Sequence, residues 1–361
     1  MCDAVTTCSA ALRRVRGDTR ELAFRLHSVR NRPGNYWRSS PHNAFRDYGP
    51  VFYNYIRDYS SACEDGACCG KMVYLPRSPV LICKQLESKG RPLYLWKEYW
   101  AGLAKAYGAA DPDGFSAVLH PEAPNWFNAM VDRIQEVAWQ EGTEVCGLHE
   151  GARVLDVGCG TGRWLRRYAR KNSHPVGLDA TQGMLQHAFG ITCPLVVASA
   201  QSLPFKSNAF EIVSAITVIQ HIPPTEQPDA LREIARVLQP GGYVLLIDLI
   251  HGAGAHVFSR SPEGWIAEAR SCGLDLISWR GQEFLLLDRS LDWLVQSARR
   301  TLGQTSSSGL PVPAAEPPRG KSLYWAIRRV TCTLSEWLEP LACKVCPDSW
   351  ATHGLFVFRK A

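Results

Sequence analysis

Long apolar runs are missing from this chain. No window of its 361 residues approaches the ~20 apolar residues that a membrane-crossing helix needs. Met1 to Arg30 carries arginines throughout and no apolar core, so a secretory leader is not expected. An excess of one charge is also missing. Forty Lys and Arg against 34 Asp and Glu leave a net charge of +6, mild for an obligate nucleic-acid binder, and no RNA-binding module is legible. Charged residues make up 20% and hydrophobic residues 46%, which argues against global disorder and supplies apolar area for a core. Regular cysteine spacing is absent too. The 13 cysteines are scattered and odd in number, so reduced thiols and a soluble, cytoplasmic chain are expected. Cys63, Cys68 and Cys69 lie far from Cys343 and Cys346 and space irregularly, which favours ordinary thiols over zinc; no metal is assigned.

What is present is organised in blocks. Residues 1–140 read as a mostly helical, aromatic-rich cap. Trp126 to Gln140 has helical spacing, with Phe127, Met130, Val131, Ile134 and Val137 on one face. From 152 onward, strand candidates at 153–157, 175–179, 194–198, 210–216 and 242–249 alternate with helices at 161–170, 181–188 and 228–238. Gln239-Pro240-Gly241-Gly242 reads as a helix stop and a short turn. This alternation predicts a parallel sheet covered on both faces. A helix at 261–272, a strand near 274–280 and a closing strand at 354–359 complete a core over 141–284 and 350–361. Between them, 285–349 is a helical insertion with helices over 291–302 and 323–338. Its linker at 303–320 has the Ser, Pro and Gly content of a flexible segment.

The most informative stretch runs from Val154 to Gly162: a buried strand, a glycine-rich loop, then a helix. Gly158, Gly160 and Gly162 stand at alternate positions behind Asp156, letting backbone approach a ligand closely. The next strand ends in Asp179, where a carboxylate can accept both hydroxyls of a ribose. The glycine spacing departs from the G-x-G-x-x-G that seats a pyrophosphate. Acids on both sides suit a cationic cofactor without phosphate.

On these residues the chain resembles the class I S-adenosylmethionine-dependent methyltransferases with a type 11 or 25 core. Further matching segments are Leu178-Asp179-Ala180, Ala198 to Phe205, Phe210 to Val213, Gln220 to Pro223 and Arg236 to Tyr243. The resemblance covers about 150–280 and returns at His353 to Lys360. It implies an α/β, Rossmann-like, seven-stranded, mostly parallel sheet with an antiparallel last strand, a helical N-terminal cap and a helical insertion before that strand. It implies S-adenosyl-L-methionine as cofactor. Gly158, Cys159, Gly160 and Gly162 would flank the methionine part, with Cys159 a small filler. Asp156 would orient the amino group through water, Asp179 would hold the ribose, and Ala180 and Met184 would pack on the adenine. Ala200 and Gln201 would meet the adenine edge, and Ile216 and Thr217 would line the methionine side. The family often places an acid where Ser199 stands, so Asp179 is the firmer ligand.

The implied reaction is in-line transfer of a methyl group to oxygen or nitrogen of a small molecule, a specialised metabolite or a sugar or glycan precursor. Alignment and desolvation would supply most of the acceleration. His221, just past the fourth strand, is the best candidate base, or else an anchor of the Pro223-Pro224 turn. His256 and His251 follow the fifth strand and read as loop or core residues before bases. The aromatic N-terminal region is a cap first. A lid reading would make Tyr36, Trp37, Tyr99 and Trp126 substrate contacts. The basic run Arg163, Arg166, Arg167, Arg170 and Lys171 reads as a solvated helix face. The rivals are methylation of RNA or protein, and a catalytically silent partner subunit.

Overall fold

The computed structural model describes residues 70–75, 78–83, 96–107, 115–120, 123–254, 256–301 and 322–361. In chain order the elements are β1 (Gly70–Leu75), β2 (Ser78–Cys83), α1 (Trp96–Tyr107), α2 (Phe115–Val118), α3 (Asn125–Val145), β3 (Arg153–Val157), α4 (Arg163–Arg170), β4 (His174–Asp179), α5 (Gln182–Leu185), β5 (Leu195–Val197) and β6 (Phe210–Ile216). There follow α6 (Gln227–Val237), β7 (Leu238–Leu249), the short pair β8 (Ala253–Gly254) and β9 (Val257–Phe258), α7 (Pro262–Ser271), β10 (Leu274–Gln282), α8 (Leu286–Thr301), α9 (Ser322–Val345) and β11 (His353–Lys360).

The main sheet has the order β1-β2-β5-β4-β3-β6-β7-β11-β10. Its seven strands from β5 to β10 have the expected Rossmann-like form: β11 alone runs against the others, pairing antiparallel with both β7 and β10. The inner strands are short runs of Val, Leu and Ile, and β3 and β6 are buried at nearly every position. Such runs suit parallel strands covered on both faces. The structure adds the β1–β2 hairpin beyond β5, with Val80, Leu81 and Ile82 pairing parallel to Leu195, Val196 and Val197. That hairpin lies inside the segment read as mostly helical. Its two apolar runs, Met72 to Leu75 and Val80 to Cys83, are four residues each and surrounded by irregular text, too little for a periodicity to show.

Three local expectations change. Val137 is exposed rather than facing the core, because at 3.6 residues per turn the buried stripe of α3 runs through Phe127, Met130, Val131, Ile134 and Ala138. Gln239 to Gly242 is not a free turn: β7 begins at Leu238, and a bulge in its pairing with β6 absorbs the Pro-Gly-Gly segment. The basic run on α4 is a solvated face only in part: Arg170 and Lys171 are exposed and Arg166 is half-buried. Arg163 and Arg167 are buried against α3, where Arg167 meets Asp132 at 2.7 Å and Glu136 at 3.1 Å, and Arg163 donates to Gln135 at 2.8 Å. Two cations one turn apart match acids one turn apart on the facing helix. Beside this latch, Trp139 stacks on Trp164 at 6.0 Å and meets Tyr168 edge-on at 5.2 Å, closing the core on that face of the sheet.

The insertion is held by its second helix capping its first. Ser335 accepts from the backbone of Leu287 and Asp288, and Glu339 accepts from Phe284 and Leu285. These bonds satisfy amide groups that a helix start leaves open, so α8 begins at Leu286 and not at 291. Arg328 pairs with buried Asp288 at 2.9 Å. The linker read at 303–320 lies outside the described residues. No helix among the described residues is long and apolar enough to cross a membrane.

Candidate functional site

From β3 the chain winds outward through β4 and β5, then returns to lay β6 and β7 on the other side. The carboxyl ends of β3 and β6 therefore meet at a reversal of strand order, where open α/β sheets bind ligands. A cleft opens there.

Its floor is the loop after β3. Gly158, Cys159 and Gly160 line the cleft. Gly158 and Gly160 hold φ of +69° and +53°, and an added Cβ would come within 2.4 Å of Val218 and 2.8 Å of Val118 respectively. Only glycine supplies both the left-handed backbone and the clearance. Gly162, at φ +81°, starts α4 and does not line the cleft. Burial pushes the Cys159 thiol well above its ordinary range, so it stays neutral and fills space.

One wall comes from β4 and β5. Asp179, Ala180, Met184, Ser199, Ala200 and Gln201 all line the cleft. The Asp179 carboxylate accepts from the Gly160 amide at 2.9 Å and from the Thr181 amide at 2.7 Å, so it locks the glycine loop as well as facing the cavity. Burial raises it to about 6, against the pull of those two bonds. Ser199 donates to the Gln201 carbonyl, and Gln201 donates to Glu226 at 3.0 Å.

The opposite wall follows β6. Ile216 and Thr217 line the cleft. Thr217 stands at φ +56°, a conformation that a β-branched residue adopts only when its surroundings impose it, at a strain of roughly 1–3 kcal/mol. The bond from Thr217 N–H to Ile247 and the bond from Val218 N–H to buried Asp248 at 3.0 Å impose it. Burial drives the Asp248 carboxyl well up, and its second oxygen has no partner among the described residues. Sequence reasoning missed Asp248. Its signal is faint, a single acid inside the apolar run of β7.

Asp156 lies beneath the floor, not in the lining. One carboxylate oxygen accepts from Ser214 at 2.8 Å, and the other is buried without a partner among the described residues. Burial raises it to about 7. A buried acceptor left open beside a cradle that only glycine permits fits a ligand with an amino group, and Asp179 fits a ribose. Arg163, also unforeseen as a site residue, reaches the lining from below.

The outer rim joins the histidines to α1. His221 lines the cleft, and His256 does not. The two rings stack at 5.6 Å. Trp100 meets His221 edge-on at 5.0 Å, and Tyr99 lies on His256 at 4.3 Å. The Nδ1 of His221 lies 3.0 Å from the His256 carbonyl oxygen and must donate to it, which leaves Nε2 as the acceptor for the Gln220 amide at 3.3 Å. Burial lowers His221 to about 4 and lowers His256 as well. His251 bonds to the Ser349 carbonyl at 2.8 Å on the exposed surface, outside the lining. Trp126 packs on Phe127 and Trp325 and not on the cleft. Tyr36, Trp37, Cys63, Cys68 and Cys69 lie outside the described residues. Trp100 and Val118 bring α1 and α2 over the cavity, so this part of the cap is also a roof.

Comparison with known proteins agrees with this geometry. A family model described as "Methyltransferase domain" matches residues 154–242. The chain is 34% identical over 113 residues to the ubiquinone/menaquinone biosynthesis C-methyltransferase UbiE of Hahella chejuensis, covering 28% of this chain and 45% of that protein. It is 33% identical over 97 residues to the probable tRNA methyltransferase 9B of Homo sapiens, covering 27% of this chain and 21% of that one. A solved phosphoethanolamine N-methyltransferase 2 of Haemonchus contortus, in complex with S-adenosyl-L-methionine, is similar at 19% identity and a TM-score of 0.42, over 78% of this chain and 62% of that one. The chain thus spans about half or less of the length of these two curated relatives. Residues 154–242, matched in order from the β3 strand through the Pro-Gly-Gly bulge, are a class I S-adenosylmethionine-dependent methyltransferase core, whose cofactor is S-adenosylmethionine.

Proposed function

We propose that this protein transfers a methyl group from S-adenosylmethionine to a small, uncharged acceptor. The observation that supports this most is a roofed cleft with the Asp179 carboxylate in its wall, buried Asp156 beneath its floor and an apolar rim. When bound, the cofactor supplies an electrophilic methyl carried on a sulfonium sulfur. Asp179 would accept from the ribose hydroxyls, Asp156 beneath the floor would orient the amino group through water, and Ala180 and Met184 would pack on the adenine. Ala200 and Gln201, with Ser199 beside them, meet its edge, while Ile216 and Thr217 hold the methionine side. Gly158, Cys159 and Gly160 form the floor, and Gly162 turns the chain into α4.

The acceptor would enter past Trp100, Val118, His221 and Ile222, which exclude water from the transfer path. Arg163 is the one cation among the described lining residues, and it is already engaged by Gln135 and Asp132. The described part of the rim therefore offers nothing to a phosphate backbone, which favours a small molecule over RNA. His221 would touch the acceptor as a neutral imidazole. With its conjugate acid near 4 it is a poor base at neutral pH, and to orient a hydroxyl or amine its Nε2 would exchange the Gln220 amide at 3.3 Å for the acceptor. His256 backs its ring.

Titration calorimetry with S-adenosylmethionine tests the reading. Micromolar binding is expected, and an absence of binding would leave a silent partner subunit as the better account. Salt-sensitive RNA binding in a gel shift would favour the RNA rival. Methyl transfer to uncharged small acceptors is the expected activity.

Binding should also depend on pH. Both acids are raised in the free protein, so they hold protons below about 6 and 7, whereas the ionised forms accept from the cofactor. Affinity should rise from pH 5 to 7.5 with net proton release, and level off above that. Calorimetry in buffers of different ionisation enthalpy measures the protons; affinity flat across this window would contradict the roles of both acids.

His221→Ala should lower kcat about 10-fold or more and leave the cofactor Kd within about twofold. In the unsubstituted protein, kcat should show no inflection near 6.5, because His221 titrates near 4. Full activity in His221→Ala would reduce that residue to an anchor of the turn.

A further inference from the structure

Helix α9 shows two opposite faces. Arg328, Cys332, Ser335, Glu339 and Ala342 are buried against the body of the protein. The outward face presents Ile327, Val330, Leu334, Trp337, Leu341 and Val345, all exposed, with Trp337 at 77% and Val345 at 68%. Their spacing advances by three, four, three, four and four residues, a straight seam down the helix. Beside them the exposed residues Ala326, Thr333 and Pro340 carry no charge, and the exposed cations Arg329 and Lys344 sit toward the two ends. Soluble proteins rarely leave so long an apolar stripe in water.

We infer that this seam is the contact between two copies of the chain, paired antiparallel along α9. The sequence of the seam is complementary to its own reverse. Turned end for end about a point between Leu334 and Trp337, Ile327 meets Val345, Val330 meets Leu341 and Leu334 meets Trp337. Each large side chain then faces an apolar one across a two-fold axis, the isologous arrangement that a closed dimer requires. A helix of 24 residues is roughly 36 Å long. Two such seams laid together bury on the order of 600–800 Å² per copy, close to the standard size for a specific interface.

Charge separates this occupant from a lipid surface. A helix that lies on an anionic bilayer flanks its apolar face with several basic residues. The exposed cations of α9 are Arg329 and Lys344 only. Arg329 lies over the Trp126 ring at 5.9 Å, and Lys344 sits in the last turn. The carboxylate nearest the midpoint, Glu336, is taken by Arg133 at 2.5 and 2.8 Å. The seam thus carries no charge that would repel its own copy and lacks the basic border of a membrane contact.

Light scattering and sedimentation of the full chain test the proposal, with anionic vesicles as a second arm. The unsubstituted protein should show twice the monomer mass at micromolar concentration. Leu334→Lys and Trp337→Glu should each give the monomer mass with the cofactor Kd unchanged, since neither lies in the cleft. A one-to-one mixture of the two should restore the doubled mass, because Lys at 334 of one copy then faces Glu at 337 of the other. An unsubstituted protein that stays monomeric to about 100 µM would overturn the proposal. So would a dimer that both variants leave intact, a mixture of folded monomers that does not re-pair, or a monomer that pellets with the vesicles. Unchanged cofactor affinity in the variants keeps these outcomes separate from any failure of the methyltransferase reading.

Discussion

Asp179→Ala should weaken S-adenosylmethionine binding by about 1–3 kcal/mol, a factor of roughly 5 to 150 in Kd. Two losses combine. The ribose hydroxyls lose a charge-assisted acceptor, and the amides of Gly160 and Thr181 lose the carboxylate that holds them at 2.9 and 2.7 Å. The second loss loosens the glycine loop itself, so the penalty should exceed that of an adenine-edge change such as Ser199→Ala. Asp179→Asn should recover only part of it, because an amide group presents a donor to one of two donating backbone groups. Calorimetry on the three variants checks the order. A Kd unchanged in Asp179→Ala would remove this residue from the cofactor site.

Arg328→Met should destabilise the fold by about 3–5 kcal/mol, the usual consequence of leaving a buried charge alone. Arg328 reaches Asp288 with two nitrogens, at 2.9 and 3.1 Å, and the Asp288 side chain is 3% exposed. Without the guanidinium, the carboxylate sits at the start of α8 beside Ser335 and Glu339 with its main cation gone. A drop in melting midpoint of roughly 5–15 °C is expected. The double variant Asp288→Leu, Arg328→Met should regain most of the loss, since an apolar pair of similar volume removes the stranded charge instead of answering it. If the single variant melts within 2 °C of the parent, the pair is not a structural tie. Cofactor affinity should change little in either, because both residues lie outside the cleft.

What was legible beforehand follows the range of the forces involved. The β3 loop announces itself within nine residues, since an acid, alternate glycines and a following helix are all local signals. Asp179 is legible for the same reason, as an acid ending a short apolar strand. Gly158, Gly160, Asp179 and His221 follow from such cues, Met184, Gln201 and Thr217 only from the family resemblance, and the cleft gathers all seven. The residues that escaped notice are placed by distant partners. Arg163 turns inward because Asp132 and Gln135 wait on another helix, so its place in a basic run suggested water. Trp100 reaches the rim because α1 folds back over the sheet. The start of α8 depends on capping groups some fifty residues later in the chain. The weak basicity of His221 follows from burial, which no local spacing reveals.

The position of β11 has a consequence for how the molecule assembles. It follows β10 only after both helices of the insertion, yet it is laid down between β10 and β7. Until it arrives, two neighbours expose unsatisfied backbone edges with a gap the width of one strand between them. Completion of the sheet must therefore wait until α8 and α9 have been synthesised, and the clamp around Asp288, by folding the two helices together, shortens the span that β11 has to close. Lesions there should be expressed first as nascent chains lost to aggregation or proteolysis, before any defect in the finished molecule can be measured.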